Sequence, residues 1–312
     1  MKQITKQVKL LTEIEEKRPT YLAIGSFDGV HLGHQEVLSQ MVMAAKRDGA
    51  RTAVLTFFPH PKHILKNLTE AYYITTLTDR VRFLGEQGID LVITHPFDEA
   101  VRHTRAADFV EQLIEYVDMR QIWGGNFAFG YKREGDIPFL RKLGAERGFS
   151  VELVKAMVEV DGAWVSSSRI RHSLQAGNVA EVNLCLGRPF RVCGEVILGD
   201  QRGRTIGFPT ANLDAWDELL LPANGVYATY AWVGETRYIA ATNVGSRPTV
   251  NGRSVTVEAY LLDFKGNLYG QEMCLEFMQH VRSEQKFSSL DALTTQIQLD
   301  VAEIRERLAD NR

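Results

Sequence analysis

Two histidines three residues apart, His31 and His34, stand inside "GSFDGVHLGHQEVL" (25–38), between a glycine turn and an amphipathic run. On a helix, two imidazoles at i and i+3 share one face. A strand ending at Gly25, a turn, and a helix opening near His31 would also present free backbone N–H groups and a positive dipole end. The chemistry that suits this set is a grip on phosphate oxygens. Half of a metal site is a second reading, but no third ligand follows at a suitable spacing. A pair of core histidines is a third, and each would need a buried partner. The turn is neither GxGxxG nor GxxxxGK(S/T), so neither a dinucleotide fingerprint nor a P-loop is supported.

A second set lies downstream in "GDQRGRTIGFPTANL" (199–213). Gly199, Gly203 and Gly207 allow backbone to fold over phosphates, and Arg202 or Arg204 can offset their charge. Thr210 and Asn212 are two apart, so in an extended segment they point to one side. A hydroxyl and an amide carbonyl suit Mg²⁺, a hard cation that bridges nucleotide phosphates. The same letters also fit a plain hairpin turn followed by a loop. Glu258 in "VTVEAYLLDF" (255–264) sits among strand-type apolar residues. Buried there unpaired it would be costly, so it either does chemistry or faces solvent from a strand.

The elements that must position these groups differ between the halves. "YLAIG" (21–25), "TAVLTFF" (52–58), "LVITHPF" (91–97) and "QIWGGNF" (121–127) are short apolar runs separated by helical patterns. One such pattern is Val37, Leu38, Met41, Val42 and Ala45, ending near Gly49. Strand–helix alternation predicts a parallel α/β sheet, whose sites lie at the carboxyl ends of the strands. Gly25, Phe57 to Pro61 and Asn126 all fall there. From about residue 186 the chain turns to closely spaced strands with Gly-rich turns, which predicts an antiparallel barrel or sandwich. Leu290, Leu293, Ile297, Val301, Ile304 and Leu308 predict a closing helix, with Ser288 or Ser289 as its N-cap.

The bulk composition is that of a soluble globular protein. The 312 residues suffice for two cores, and 45% hydrophobic and 24% charged residues with a net charge of -3 argue against a nucleic-acid binder. No run is long and apolar enough for a membrane span, and the charged N-terminus reads as no signal peptide. Three scattered cysteines, Cys185, Cys193 and Cys274, predict a reducing, cytoplasmic compartment with no disulfide and no zinc site.

"GSFDGVHLGH" resembles the G-x-F-D-x-x-H-x-G-H element of the nucleotidyltransferase superfamily. With "TFFPHP" (56–61), "GGNFAFGYKREGD" (124–136), "SSSRIR" (166–171) and the P-T-A-N element, the chain resembles the prokaryotic bifunctional riboflavin kinase/FMN adenylyltransferases along nearly its whole length. Asn126, Phe58 and Ser168 stand where that family more often has Asp, Glu and Thr. The resemblance implies an α/β nucleotidyltransferase domain with a Rossmann-like parallel sheet over 1–185. An antiparallel β-barrel kinase domain with a C-terminal helix would follow over 186–312.

It also implies a two-step synthesis with ATP as co-substrate and Mg²⁺ as cofactor, from riboflavin to FMN and from FMN to FAD. Nucleic acid, membrane and a defined oligomer are not implied. His31, His34 and Arg169 would act on the ATP phosphates in FMN adenylylation, and Glu258 would be the general base for riboflavin. Gly25, Phe27, Ser167 and Ser168 would contact ATP in the first domain, with Asp28 shaping the turn. In the second domain Gly203 and Arg204 would contact ATP, and Thr210 and Asn212 the metal. Phe57, Pro59, Asn126 and Arg282 would face flavin.

Overall fold

The computed structural model describes residues 5–309, apart from 126, 128, 156, 157, 200, 201, 250 and 251, and without the side chains of 202, 205, 247–249 and 252–254. It divides into two compact units. One comprises Met1–Glu70 and Thr75–Val165, the other Ala71–Ile74 and Ser166–Arg312.

In the first unit, strands β1 (Lys6–Val8), β2 (Thr20–Ile24), β3 (Arg51–Phe57), β4 (Leu91–His95), β5 (Met119–Gly124) and β6 (Ser150–Leu153) form one parallel sheet in the order β1-β4-β3-β2-β5-β6. Its central strands read as unbroken apolar runs because both faces are covered. Tyr21, Ala23, Val54 and Val92 pack against helices α1 (Leu32–Asp48) and α3 (Leu77–Glu86). Leu22, Leu55, Ile93 and Ile122 face the other way, toward α5 (Ala106–Gln112) and α6 (Ile137–Arg147). Short helices α2 (Pro61–Lys66) and α4 (Glu99–His103) complete the connections. The chain proceeds from β2 through β3 to β4 on one side, then places β5 on the other side of β2. That reversal opens a crevice at the carboxyl end of β2, where such sheets bind ligands. A small hairpin, β7 (Glu159–Val160) and β8 (Ala163–Trp164), ends the unit.

In the second unit, α7 (Ser167–Gln175) and α8 (Val179–Leu186) lead into β9 (Phe190–Ile197), a short turn of helix α9 (Arg202–Thr205), and strands β10 (Ala211–Ala215), β11 (Gly225–Val233), β12 (Thr236–Thr249), β13 (Gly252–Leu261) and β14 (Glu272–Arg282). These strands close an antiparallel barrel in the order β10-β13-β12-β11-β14-β9. Helix α10 (Leu290–Ala309) packs outside it, with Ile304 and Leu308 against Val226, Ala228 and Tyr230 of β11. Ser289 caps this helix, accepting from Ala292 N at 3.1 Å. Among the described residues no helix is long and apolar enough to cross a membrane.

The two compact units divide at Val165/Ser166, with α7 and α8 on the side of the barrel. The Asn183 amide donates to Phe277 O at 2.8 Å, its Oδ1 accepts from Phe190 N, and Ala223 N donates to Leu174 O. Ala71–Ile74 also joins this unit: Leu220 N donates to Tyr73 O at 2.8 Å, and the buried Tyr73 ring lies 4.8 Å from Trp216. The expectation of no disulfide is corrected. Cys193 of β9 and Cys274 of β14 stand directly opposite in the ladder and are bonded, and Cys185 is buried. Barrel closure creates that pair across 81 residues of sequence.

Candidate active sites

The first site grows out of the end of β2. The backbone turns sharply after Gly25, with φ of 44° at Phe27, 85° at Gly29 and 39° at Val30. For the two non-glycine residues this left-handed conformation costs on the order of 1–3 kcal/mol each, so the surroundings must impose it. They do so from below. Asp28 is wholly buried, and its Oδ1 accepts from Thr75 N at 3.2 Å, Thr75 Oγ1 at 3.3 Å and Arg80 Nη2 at 3.4 Å. The Thr75 hydroxyl in turn accepts from Gly29 N at 3.2 Å.

Helix α1 begins where the turn ends. His31 is its N-cap, and its Nδ1 accepts from His34 N at 3.3 Å. That bond leaves Nε2 as the N–H donor of the His31 ring. The His34 ring stacks on His31 at 3.7 Å and 16°, and Phe27 lies 5.0 Å beyond it. Gly25, Phe27, Asp28, His31 and His34 thus lie together at the end of β2 and the start of α1. Among the described residues no group of three or more His, Cys, Asp and Glu is arranged to hold a metal.

On the neighbouring strand end, Phe57 is half-buried in an aromatic cluster with Phe97 at 5.5 Å, His95 at 6.0 Å and Phe109 at 6.2 Å. Pro59 follows a cis Phe58–Pro59 bond. Phe127 is core, while Asn126 lies outside the described residues.

In the second unit, Ser167, Ser168 and Arg169 form the first turn of α7, capped by Ser166, whose hydroxyl accepts from Arg169 N at 3.2 Å. Arg169 Nε donates to Glu181 Oε1 at 2.8 Å, and Ser173 Oγ donates to the other oxygen of that carboxylate at 2.8 Å. The Arg169 guanidinium, then the Ser173 hydroxyl, hold the Glu181 carboxyl below its usual range. Sequence reading missed Glu181, for nothing in "AEVNLCL" distinguishes it from a surface helix residue. Arg171 is held within the same unit: its Nε donates to Tyr72 O at 2.8 Å and its guanidinium lies over the Tyr72 ring.

The barrel carries the remaining candidates. Val257 and Ala259 point into the barrel and are buried, so Glu258 between them stands on the outer face, half-buried. The register sets it directly between Asn212 of β10 and Asn243 of β12. Directly paired residues of an antiparallel ladder share a face, with Cβ atoms about 4.5–5.5 Å apart. Alternation, not burial in the core, therefore explains a carboxylate in this strand. P-T-A-N is no loose loop, since its Ala211 and Asn212 open β10. Gly199 lies against Asn212, and a Cβ there would come within 2.2 Å of Asn212 Nδ2. Gly203 is tight for another reason: a Cβ would meet Phe208 O at 2.2 Å. Arg204, Pro209 and Thr210 line a cavity of about 350 Å³ with Phe264, Asn267 and Tyr269.

Arg282, which the resemblance places toward flavin, is held in an ion pair. Its Nε donates to both Asp300 oxygens at 2.9 and 3.0 Å, Nη2 donates to one at 2.8 Å, and Nη1 donates to Ser283 O. Asp300 is buried, so the pair fastens α10 to β14. Arg282→Met strands that carboxylate and is expected to cost about 3 kcal/mol of barrel stability in urea unfolding. Unchanged stability would overturn the anchoring role.

A family model for FAD synthetase matches residues 13–169, and one for riboflavin kinase matches residues 186–308. The bifunctional riboflavin kinase/FMN adenylyltransferase of Pseudomonas fluorescens is 36% identical over 293 residues, 93% of each chain. Those of Listeria monocytogenes (34%) and Escherichia coli K12 (35%) each align over 91% of both chains. A crystal structure described as a macrolide-efflux protein from Streptococcus pneumoniae superposes with a TM-score of 0.89 at 30% identity, covering 97% of this chain and 99% of that one. Efflux is said there of that protein, whereas two family models and three relatives agree on the order and nature of both halves here. The chain belongs to the bifunctional riboflavin kinase/FMN adenylyltransferase family.

Proposed function

We propose that this chain makes FAD from riboflavin with two differently equipped sites, the histidine turn serving FMN adenylylation and the outer barrel face serving riboflavin phosphorylation. The observation that carries the assignment is a contrast in what each offers. The turn presents histidines and backbone N–H groups, and its single acidic residue, Asp28, is buried against Arg80. It therefore offers donors and no carboxylate free to act on the substrate. That suits FMN, whose phosphate is already ionised at pH 7 and attacks the α-phosphorus of ATP without losing a proton. His31 and His34 would hold the phosphates and stabilise the charge that builds up as pyrophosphate leaves. Arg169, with Ser167 and Ser168, is assigned to the ATP triphosphate by the "SSSRIR" motif, and Glu181 fixes the plane of its guanidinium. Gly25 and Phe27 would meet adenosine. Phe57, Pro59 and Asn126 are assigned to flavin by their motifs.

The barrel face offers an acceptor. Glu258 would take the proton of the riboflavin 5′-hydroxyl as its oxygen attacks the γ-phosphorus of ATP. Asn212 stands beside it, Thr210 two residues before Asn212, and Gly203 and Arg204 would cover the phosphates, with the ATP base in the cavity beside Thr210. The donor set fits Mg²⁺, because a hydroxyl and a carboxamide precede and open one strand and Gly199 leaves the space a Cβ would take from Asn212. When bound with ATP, that ion neutralises phosphate charge. We assign the enzyme to the cytoplasm, where ATP is supplied.

Gly199→Ala tests this reading of the barrel face. The added methyl displaces the Asn212 carboxamide, a movable side-chain end, so its effect falls on function more than on stability. It is expected to raise the Mg²⁺ concentration for half-maximal FMN formation by roughly tenfold, the scale of one misplaced ligand. FAD formation from supplied FMN stays as in wild type. An unchanged Mg²⁺ requirement would remove Asn212 from the metal site.

A further inference from the structure

Arg80 is the largest side chain buried without any exposure in the protein's described core, and no step of the reaction calls for it. It lies on α3, and its Nη2 donates to Asp28 while its Nη1 donates to Thr56 Oγ1, each at 3.4 Å. The Thr56 hydroxyl donates to Ser26 O at 2.9 Å. One guanidinium thus reaches both ends of the turn, through Thr56 to Ser26 and through Asp28 and Thr75 to Gly29. Between those ends lies Phe27 at φ 44°, and immediately after them Val30 at 39° and the cap His31.

The geometry points to Arg80 as a positioning residue for FAD formation, holding the strained turn in the one conformation that presents His31 and His34. This rests on the reading that those histidines grip the ATP phosphates. Arg80 does not act as a distant cation on the triphosphate, because Asp28 neutralises it within the same buried pair. Its influence has to pass through the place of the turn. A planar fork that bonds two acceptors at once suits that work better than a lysine would.

The test uses the full-length protein and compares Arg80→Met with wild type, alone and in the His31→Ala/His34→Ala background. FAD formation from FMN, FMN formation from riboflavin, and melting temperature are all measured. Arg80→Met is expected to lower FAD formation by about 100-fold, the scale of a displaced catalytic group, with FMN formation unchanged. Arg80→Lys should recover part of the rate. In the double-histidine background Arg80→Met should add almost nothing, since residues that act as one unit are not additive.

Should Arg80→Met fail to fold, Thr75→Val decides. It removes the bridging hydroxyl without stranding a charge, and is expected to slow FAD formation roughly fivefold, again only when the histidines are present. A wild-type FAD rate in whichever variant folds overturns the proposal. So does an equal fold-loss with and without the histidines, which is what general destabilisation gives. Failure of the phosphate-grip reading is seen separately, as full FAD synthesis by the double-histidine variant alone.

Discussion

Replacing His31 and His34 with alanine is expected to lower FAD formation from FMN by at least about 100-fold, the loss that follows removal of a charge-stabilising donor. The first ring caps α1 and is buried, and the second stacks on it, so together they form one donor surface at the helix start. Removing them leaves the backbone N–H groups of the turn, which still bind phosphate but do not meet the charge developing at the α-phosphorus. FMN formation from riboflavin should proceed at the wild-type rate, because Glu258, Asn212 and Thr210 all belong to the barrel unit. Undiminished FAD synthesis by the double variant would end the phosphate-grip reading. Stoichiometric zinc in the purified wild type would revive the metal reading in its place.

Glu258→Gln should do the reverse. It keeps the size and hydrogen-bonding capacity of the side chain between Asn212 and Asn243 and removes only the base. The kinase rate is expected to fall by about 10² to 10⁴, the usual range for general-base catalysis, while riboflavin still binds. The same protein supplied with FMN should make FAD normally, since an ionised phosphate has no proton to lose. Each variant thus controls for the other within one chain. If Glu258→Gln phosphorylates riboflavin at the full rate, the proton goes elsewhere and the assignment of this strand is mistaken.

Much of this arrangement was legible before any coordinates, and the reasons differ by element. The strands β2 to β5 announce themselves because parallel strands covered on both faces are continuous apolar runs. β1 and β6 do not, because "KQV" and "SVEL" are short edge segments with polar residues. The histidine pair was legible from its spacing and the glycine before it, since a cap and its i+3 neighbour are local. What holds the turn was not. Arg80 and Thr75 lie 52 and 47 residues beyond Asp28, and their meeting is a product of the sheet order.

Glu258 stood out as a carboxylate among strand-type apolar residues, and of the two places open to it the structure gives the outer face of the strand. The ion pair of Arg282 was not legible, because its partner Asp300 lies 18 residues further on, on a separate helix. The cysteines carry the same lesson. Their spacing says nothing of the barrel seam where Cys193 and Cys274 meet.

The most direct test of the whole account starts from riboflavin alone. The purified full-length protein is given riboflavin, ATP and Mg²⁺, and the flavins are resolved by chromatography over time. The account predicts that riboflavin is consumed, FMN rises first and then falls, and FAD accumulates with one ADP and one pyrophosphate released per molecule formed. Flavin that binds without turning over, or FMN that accumulates and is never adenylylated when both substrates are in excess, would contradict it.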